Sequence, residues 1–556
     1  MSNWWKEGII YQIYPKSFQD SNGDGIGDIP GIISRLDYLD YLGIDMLWIS
    51  PIYESPDADN GYDISDYYQI RPEFGTDEDF EELLIELHRR DIRLILDMVV
   101  NHTSDEHEWF HESRKDPVGA YGDFYHWHSG NDGELPSNWG SFFGGPAWSW
   151  DELREEYYLH LFHEKQPDLN WENKIVREEI YKMMRYWLDR GVDGFRLDVI
   201  NLLDKADGYP DGKVKNGQKY GDGTPYYTNG ERLEEYLAEM NDEVFRHYDM
   251  VTIGETIATG ASKAKTFISS ENHPLDMLIH FEHMSVDHGD GKWDKAEFDL
   301  VEFKNIIDNW DKEIRPEGWN AFYLNNHDQP RAVSRFGDDE NYHYHSATML
   351  ATMLLTVPAT PFIYQGEEIG MTNYQFKDFN ELRDIESINY YKNKIEIDDE
   401  NKILRRISEI GRDNARTPVQ WSGKYNAGFT GNKPWIKINP NYESINIKEQ
   451  RNYKDSILNY YRDLIEFRAN NQALISGSFE QIAADDREIF AYWRRLDGDN
   501  YLVLLNFSDK EQNFSLDSFC SILTYVYGNY FDQKGHPDDS LPNLKPYEAR
   551  VYKQLN

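Results

Sequence analysis

The amino-acid sequence predicts an α/β protein built on a (β/α)8 TIM barrel, with a domain inserted after the third strand and an antiparallel β-sandwich at the carboxy-terminal end. Three observations predict it. Eight short apolar runs, rich in β-branched and aromatic residues, alternate with amphipathic helical stretches, the pattern of βα units around a parallel sheet. One long aperiodic segment interrupts them. Towards the carboxy terminus the pattern changes to a two-residue alternation.

The eight runs are residues 9–14, 45–50, 93–100, 194–199, 250–254, 277–281, 320–324 and 361–364. Between them lie helical patterns such as 77–90, 176–191 and 232–247, and eight units is the number that closes a barrel. The interruption, 103–171, is rich in Gly, Trp, His, Asp and Pro and too long for an ordinary connection, so it reads as a small inserted domain. From 478 to 556, runs such as Ile489-Phe490-Ala491-Tyr492-Trp493 and Tyr501-Leu502-Val503-Leu504-Leu505, separated by the turn Asp497-Gly498-Asp499-Asn500, predict the sandwich. The barrel therefore takes residues 1–102 and 172–477.

Composition bounds the function. With 39% hydrophobic and 15% aromatic residues, 556 residues suffice for a large core and satellites. A net charge of −43 repels phosphate backbones and anionic lipid, which excludes nucleic acid and membrane surfaces as partners and leaves a neutral small molecule unaffected. No run reaches the ~20 apolar residues of a membrane span. The first residues lack a basic then apolar leader, and the single cysteine, Cys520, rules out an intrachain disulfide. A cytoplasmic protein with no obligate protein partner is expected.

In such a barrel, reactive side chains stand where strands end and loops begin. Asp97, Asn101 and His102 end the third strand, Arg196 and Asp198 the fourth, Glu255 the fifth, and His327 and Asp328 the seventh. Singly, each has a plainer reading: Asp97 as a helix cap, His102 as a structural histidine. Together they supply what glycosidic cleavage needs, a carboxylate facing the positive charge at the anomeric carbon and a carboxylic acid for the departing oxygen. Asp198 and Glu255 suit those roles. Arg196, two residues before Asp198 and so on the same side of the strand, is placed to hold that carboxylate ionised. Glu255 must carry a proton, and its apolar flank, Ile253 and Ile257, together with neighbouring acids raises its pKa.

The stretches Asp97-Met98-Val99-Val100-Asn101-His102, Gly194-Phe195-Arg196-Leu197-Asp198, Gly254-Glu255 and Asn326-His327-Asp328 resemble, in order and spacing, the four signature regions of glycoside hydrolase family 13. Gln166-Pro167-Asp168-Leu169-Asn170 is similar to the fifth region of its oligo-1,6-glucosidase subgroup, and the likeness runs from Trp4 to the carboxy terminus. The resemblance implies a retaining double displacement: Asp198 forms the glycosyl-enzyme, Glu255 protonates the leaving oxygen, and Asp328 binds sugar hydroxyls and distorts the ring. It further implies that Asp59, Tyr62, His102, His327 and Arg416 grip a terminal glucose in a closed pocket, which means exo action. Phe143, Phe162, Phe281, Glu386 and Arg331 are implied as pocket-wall or leaving-side residues.

A separate motif, Asp20-Ser21-Asn22-Gly23-Asp24-Gly25-Ile26-Gly27-Asp28, places oxygen-bearing side chains at alternate positions with glycines for a tight turn. Asp20, Asn22, Asp24, Asp28 and the Ile26 carbonyl give a hard cation five oxygen ligands, although no Glu stands at the twelfth position. An Asn/Asp/Gly turn without metal is the alternative. The subgroup resemblance favours one structural Ca2+.

Val199, directly after the nucleophile, resembles the α-1,6-acting members, so isomaltose, panose and short isomalto-oligosaccharides are the expected substrates. Leu197 and Ile257 depart from the commonest pattern of the subgroup. Trehalose-6-phosphate hydrolases share the valine but usually carry alanine where Pro167 stands. Sucrose isomerases usually carry a basic segment where this chain has Met284-Ser285-Val286-Asp287-His288. The non-catalytic heavy chains of amino-acid transporters have a membrane helix and often lack the acids, all of which are present here.

Overall fold

The computed structural model describes residues 4–131, 133–215, 217–268, 274–515, 522–530, 537–538 and 543–555; Cys520 and the first three residues lie outside them. Eight parallel strands form the central sheet: β1 Ile10–Ile13, β2 Met46–Ile49, β3 Arg93–Val99, β4 Gly194–Asp198, β5 Val251–Thr256, β6 Met277–His280, β7 Ala321–Tyr323 and β8 Thr360–Tyr364. Their order is β6-β5-β4-β3-β2-β1-β8-β7, and a parallel bridge from Leu278 to Asn320 joins the two edges into a barrel. Nearly every strand residue is buried. That explains the continuous apolar runs, since a parallel strand covered on both faces has no polar side.

Register sets up the chemistry. Asp97 pairs with Arg196, and Val99 with Asp198; on the other side Ile253 pairs with Arg196. Gly194 permits this closeness, because a Cβ there would stand 2.5 Å from Val251. Arg196 is thereby held between strands that carry acids. β5 runs on through Glu255 to Thr256, two residues past the expected end.

The inserted segment carries a three-stranded antiparallel sheet with Glu156–Leu159 between Trp127–His128 and Trp148–Asp151. It does not close on itself. Residues after β4 complete it: Trp139 Nε1 donates to the Pro210 carbonyl at 2.7 Å, the Asn138 amide to Asp211 at 2.9 Å, and Val199, Leu202 and Tyr227 share its core with Trp139 and Trp148. The fifth-region stretch lies antiparallel to the end of β3, with a His102–Asp168 bridge.

At the carboxy-terminal end six antiparallel strands form one sheet. Phe490, Tyr492, Val503 and Leu505 face the barrel core, whereas Ala491, Trp493, Leu502 and Leu504 face outward onto Phe514 and Leu544. Alternate residues thus serve two apolar layers. Among the described residues the outer layer includes the short Gln512–Leu544 bridge. No helix of the described residues is long and apolar enough to cross a membrane.

Candidate active site

Arg196 is the hub. Its Nη1 donates to Asp97 at 2.6 Å and to Asp198 at 2.5 Å, and its Nη2 is paired with Glu255. Trp48 and Tyr62 lie beside the guanidinium, with ring centroids 5.3 and 5.8 Å from it. Both also donate to Asp97 Oδ2, at 3.1 and 2.9 Å. Three carboxylates therefore share one cation in a buried setting. Burial pushes Asp198 up to about 7, with Arg196 pulling it down and Asp97 pushing it further up. Glu255 is likewise driven up by burial to about 7, against Arg196 and with help from Asp198 and Asp328. The cluster titrates as a set and retains a proton near neutrality.

Asp328 stands opposite in a different balance. Burial raises it, but His327 at 3.3 Å, Arg412 at 3.1 Å and Arg416 at 3.1 Å hold it well below the usual carboxylate range. Gln12 Nε2 lies 2.8 Å from His327 Nδ1, which must accept, so Nε2 carries the proton towards Asp328. Burial depresses His327 to about 3, so the ring is neutral. Tyr62 stacks on it at 5.2 Å.

The pocket around these groups has a volume of about 240 Å³. Of the residues singled out from the sequence, Asp59, Tyr62, His102, Phe143, Phe162, Asp198, Val199, Glu255, Phe281, Asp328 and Glu386 line it. Arg196 and His327 lie directly beneath, through the contacts above. One end is closed by ion pairs: Asp59 receives Arg412 at 3.2 Å and Gln166 at 3.2 Å, and Arg412 continues to Asp328. Burial, opposed by Arg412, pushes Asp59 up to about 7.

Two arginines are placed differently from expectation. Arg416 does not line the pocket; it is buried behind Asp328, bonded to Asp328, Asp384 and the His327 carbonyl. Arg412, four residues earlier, is the guanidinium in the wall, 4.8 Å over the Phe143 ring. Arg331 does not line the cavity either. Its guanidinium N–H groups are taken by the carbonyls of Asn414, Gln365, Ala415 and Thr417, so it braces the loops after β7 and β8 and has no donor directed at a sugar.

Other contributors had no sequence signal strong enough to single them out. Lys292 lines the wall and pairs with Glu386 at 2.5 Å; His288, Gln329 and Phe142 line it as well, beside Ile257, which the sequence had placed on the flank of Glu255. Asp384 is fully buried between Arg412 and Arg416. Lys205, also buried, donates to Asn101 and Asp168 at 2.8 Å each, and Asn101 Nδ2 lies 3.2 Å from His102 Nδ1. That chain fixes the fifth-region stretch and the histidine together. Burial lowers His102 to about 4, leaving it neutral.

Val199 adopts φ 38° and ψ 42°. A β-branched side chain in the left-handed region is strained, which costs of order 1–3 kcal/mol and persists only where the surroundings enforce it. Here the turn carries the chain from Asp198 into the insert core and leaves the Val199 side chain in the pocket wall.

In the 20–28 loop, Asp20 accepts the amides of Gly23 and Gly25, Asn22 that of Asp24, and Asp24 that of Ile26. Asp28 caps the following helix through Gly31 and receives Ser21 on its other oxygen. The donors are all hard oxygens, but among the described residues no three acidic or histidine side chains gather as a ready metal cage. A cation would have to draw them together.

Residues 12–477 match the family described as Alpha amylase, catalytic domain. The oligo-1,6-glucosidase of Parageobacillus thermoglucosidasius is 50% identical over 555 residues, 99% of each chain. Among solved structures, the trehalose-6-phosphate hydrolase of Bacillus licheniformis is 45% identical with a TM-score of 0.93. The isomaltulose synthase SmuA of Protaminobacter rubrum is 43% identical with a TM-score of 0.96; both comparisons cover 100% of each chain.

Proposed function

The chain belongs to the α-amylase family, and from that premise we propose that it is a retaining, exo-acting α-glucosidase hydrolysing α-1,6 bonds at the non-reducing end of isomaltose, panose and short isomalto-oligosaccharides. The observation that carries the reading is the pairing of Asp198 and Glu255 through Arg196 in a pocket with one closed end. The terminal glucose enters with its far hydroxyls towards Asp59, Arg412 and Asp328. Glu255 gives its proton to the glycosidic oxygen as that bond breaks, and the Asp198 carboxylate bonds to the anomeric carbon. The leaving sugar departs. Glu255, now ionised, takes a proton from water, whose oxygen displaces Asp198 and releases α-glucose.

For linkage, the support is the 50% identical oligo-1,6-glucosidase and the Val199 wall. An anionic leaving sugar such as a trehalose phosphate would need a cation at the mouth, and Lys292 is already paired with Glu386. Isomaltose, panose, maltose, sucrose, trehalose and trehalose-6-phosphate offered to purified protein test the reading. Isomaltose and panose are expected to be cleaved fastest, with α-glucose released first; preference for trehalose-6-phosphate or conversion of sucrose to an isomer would overturn it.

Calcium at Asp20, Asn22, Asp24, Ile26 and Asp28 belongs to the proposal as a stabiliser, supported by the oxygen donor set. Binding to the folded form alone raises stability. The melting temperature is expected to rise with calcium in the parent protein and not in Asp24→Ala; coincident curves with calcium and chelator in the parent would remove the metal. A cytoplasmic location is proposed likewise, supported by one cysteine in 556 residues; cell fractionation checks it.

A further inference from the structure

Two adjacent acids that follow β8, Glu367 and Glu368, take no part in the chemistry above, and both are buried. Hydrogen bonds alone hold them. Glu367 accepts the Tyr364 amide at 3.2 Å on Oε2 and the Tyr461 hydroxyl at 3.3 Å on Oε1. Glu368 accepts the hydroxyls of Tyr11 and Tyr38 on Oε1, at 2.9 and 2.5 Å, while its Oε2 has no partner. Among the described residues neither carboxylate forms an ion pair; the Arg331 guanidinium, whose charge Glu367 feels, has its N–H groups on carbonyls. Burial pushes Glu367 up to about 8. A carboxylate in such surroundings is stabilised by a cation beside it.

Glu367 also bounds a cavity of about 10 Å³, room for one water-sized occupant. Asn325, which stands three positions before Asp328, forms another side of it. That side chain is 2% exposed, and neither its amide oxygen nor its amide nitrogen has a hydrogen-bond partner. Tyr461 completes the polar lining, and Val333, Ala347 and Leu350 supply the apolar part. A buried amide without partners is destabilising, so an occupant that carries positive charge to Glu367 and meets the Asn325 oxygen relieves both groups together. Carboxylate, amide and phenol oxygens are the donors of a hard cation. No three acidic or histidine side chains gather among the described residues, so this donor set suits a single positive charge rather than a divalent ion.

We propose that this cavity binds one monovalent cation of the size of potassium or ammonium, held between Glu367 and Asn325. The ion ties the turn after β8 to the root of the stretch that bears Asp328, and it stabilises the folded protein.

The test melts the intact protein in potassium, ammonium and choline chloride at equal ionic strength, with EGTA present so that calcium binding does not contribute. Choline is too large for the cavity. The parent is expected to melt roughly 1–4 °C higher in potassium or ammonium than in choline. Glu367→Gln, which keeps the shape without the charge, and Asn325→Leu, which removes the amide oxygen, should bring that difference close to zero. Equal melting of the parent in all three salts would overturn the site. So would an undiminished difference in either folded variant, which would place the effect on the acidic surface. Crystals of the parent grown in rubidium chloride make the test independent of how the variants fold: an anomalous peak beside Glu367 and Asn325 is expected, and its absence there would likewise overturn the site.

Discussion

Two groups of carboxylates face each other across one pocket, and they are balanced in opposite ways. Asp97, Asp198 and Glu255 share Arg196 alone, and burial lifts the last two to about 7. Asp328 and Asp384 meet both Arg412 and Arg416, and burial loses to those cations. Residue type does not decide ionisation here. The ratio of buried acids to buried cations does, and it divides the pocket into a half that holds a transferable proton and a half that holds a fixed negative charge.

Breaking the proton-holding half has the largest expected effect. Asp198→Asn removes the nucleophile and should lower kcat by roughly 10^4-fold or more. Glu255→Gln removes the acid and should cost roughly 10^2- to 10^4-fold with a substrate whose leaving group needs protonation. Both should melt near the parent temperature, because burial favours neutral groups at these positions. Near-parental turnover in either would dissolve the assignment.

The fixed-charge half is probed through pH. On the proposed mechanism activity requires Asp198 ionised and Glu255 protonated, so it is expected to rise as the shared cluster loses its first proton and to fall as Glu255 loses its own near pH 7. Asp328 is held down and stays ionised throughout that range. Arg412→Met removes one of its cations and should raise its pKa by about one unit or more, which still leaves it ionised over the working range, so kcat/KM should fall by roughly tenfold or more with the acid limb in place. Removing one partner of a buried pair is destabilising, so Arg412→Lys, which keeps the charge, is the companion variant and should lose less. An acid limb that moves upward by about a unit or more in folded Arg412→Met would show Asp328 titrating beside the cluster and contradict the balance described.

The smallest effect should come from the wall, where charge is untouched. Val199→Thr keeps branching and adds a hydroxyl beside the leaving sugar, a change of roughly 1–3 kcal/mol in discrimination. The ratio of maltose to isomaltose kcat/KM is expected to rise. If it is unchanged, Val199 does not set linkage.

The strands and their terminal acids were legible because a buried parallel strand is a short apolar run and a (β/α)8 barrel exposes side chains at one end of every run. Arg196 beside Asp198 followed from the two-residue period alone. What was illegible depends on loops. Arg412 and Arg416 sit four residues apart in one stretch, and only the fold shows that the first lines the pocket and the second supports Asp328 from behind. Lys292 and Glu386 meet from segments 94 residues apart that carry no periodic pattern. Arg331 was implied by the family resemblance as a pocket-wall or leaving-side residue, yet its N–H groups are satisfied by carbonyls. Arg196 does pull Asp198 downward, and the fold adds two other acids that draw on the same guanidinium.

On the proposed mechanism Asp198 bonds to the sugar while Glu255 manages the proton. A fluorinated glucosyl fluoride that forms the covalent intermediate quickly and releases it slowly, followed by peptide mass spectrometry, separates these two roles. One glucosyl label is expected on the peptide containing Asp198, absent in Asp198→Asn, with α-glucose as the first product from isomaltose. A label on another residue, or β-glucose as the first product, would contradict it.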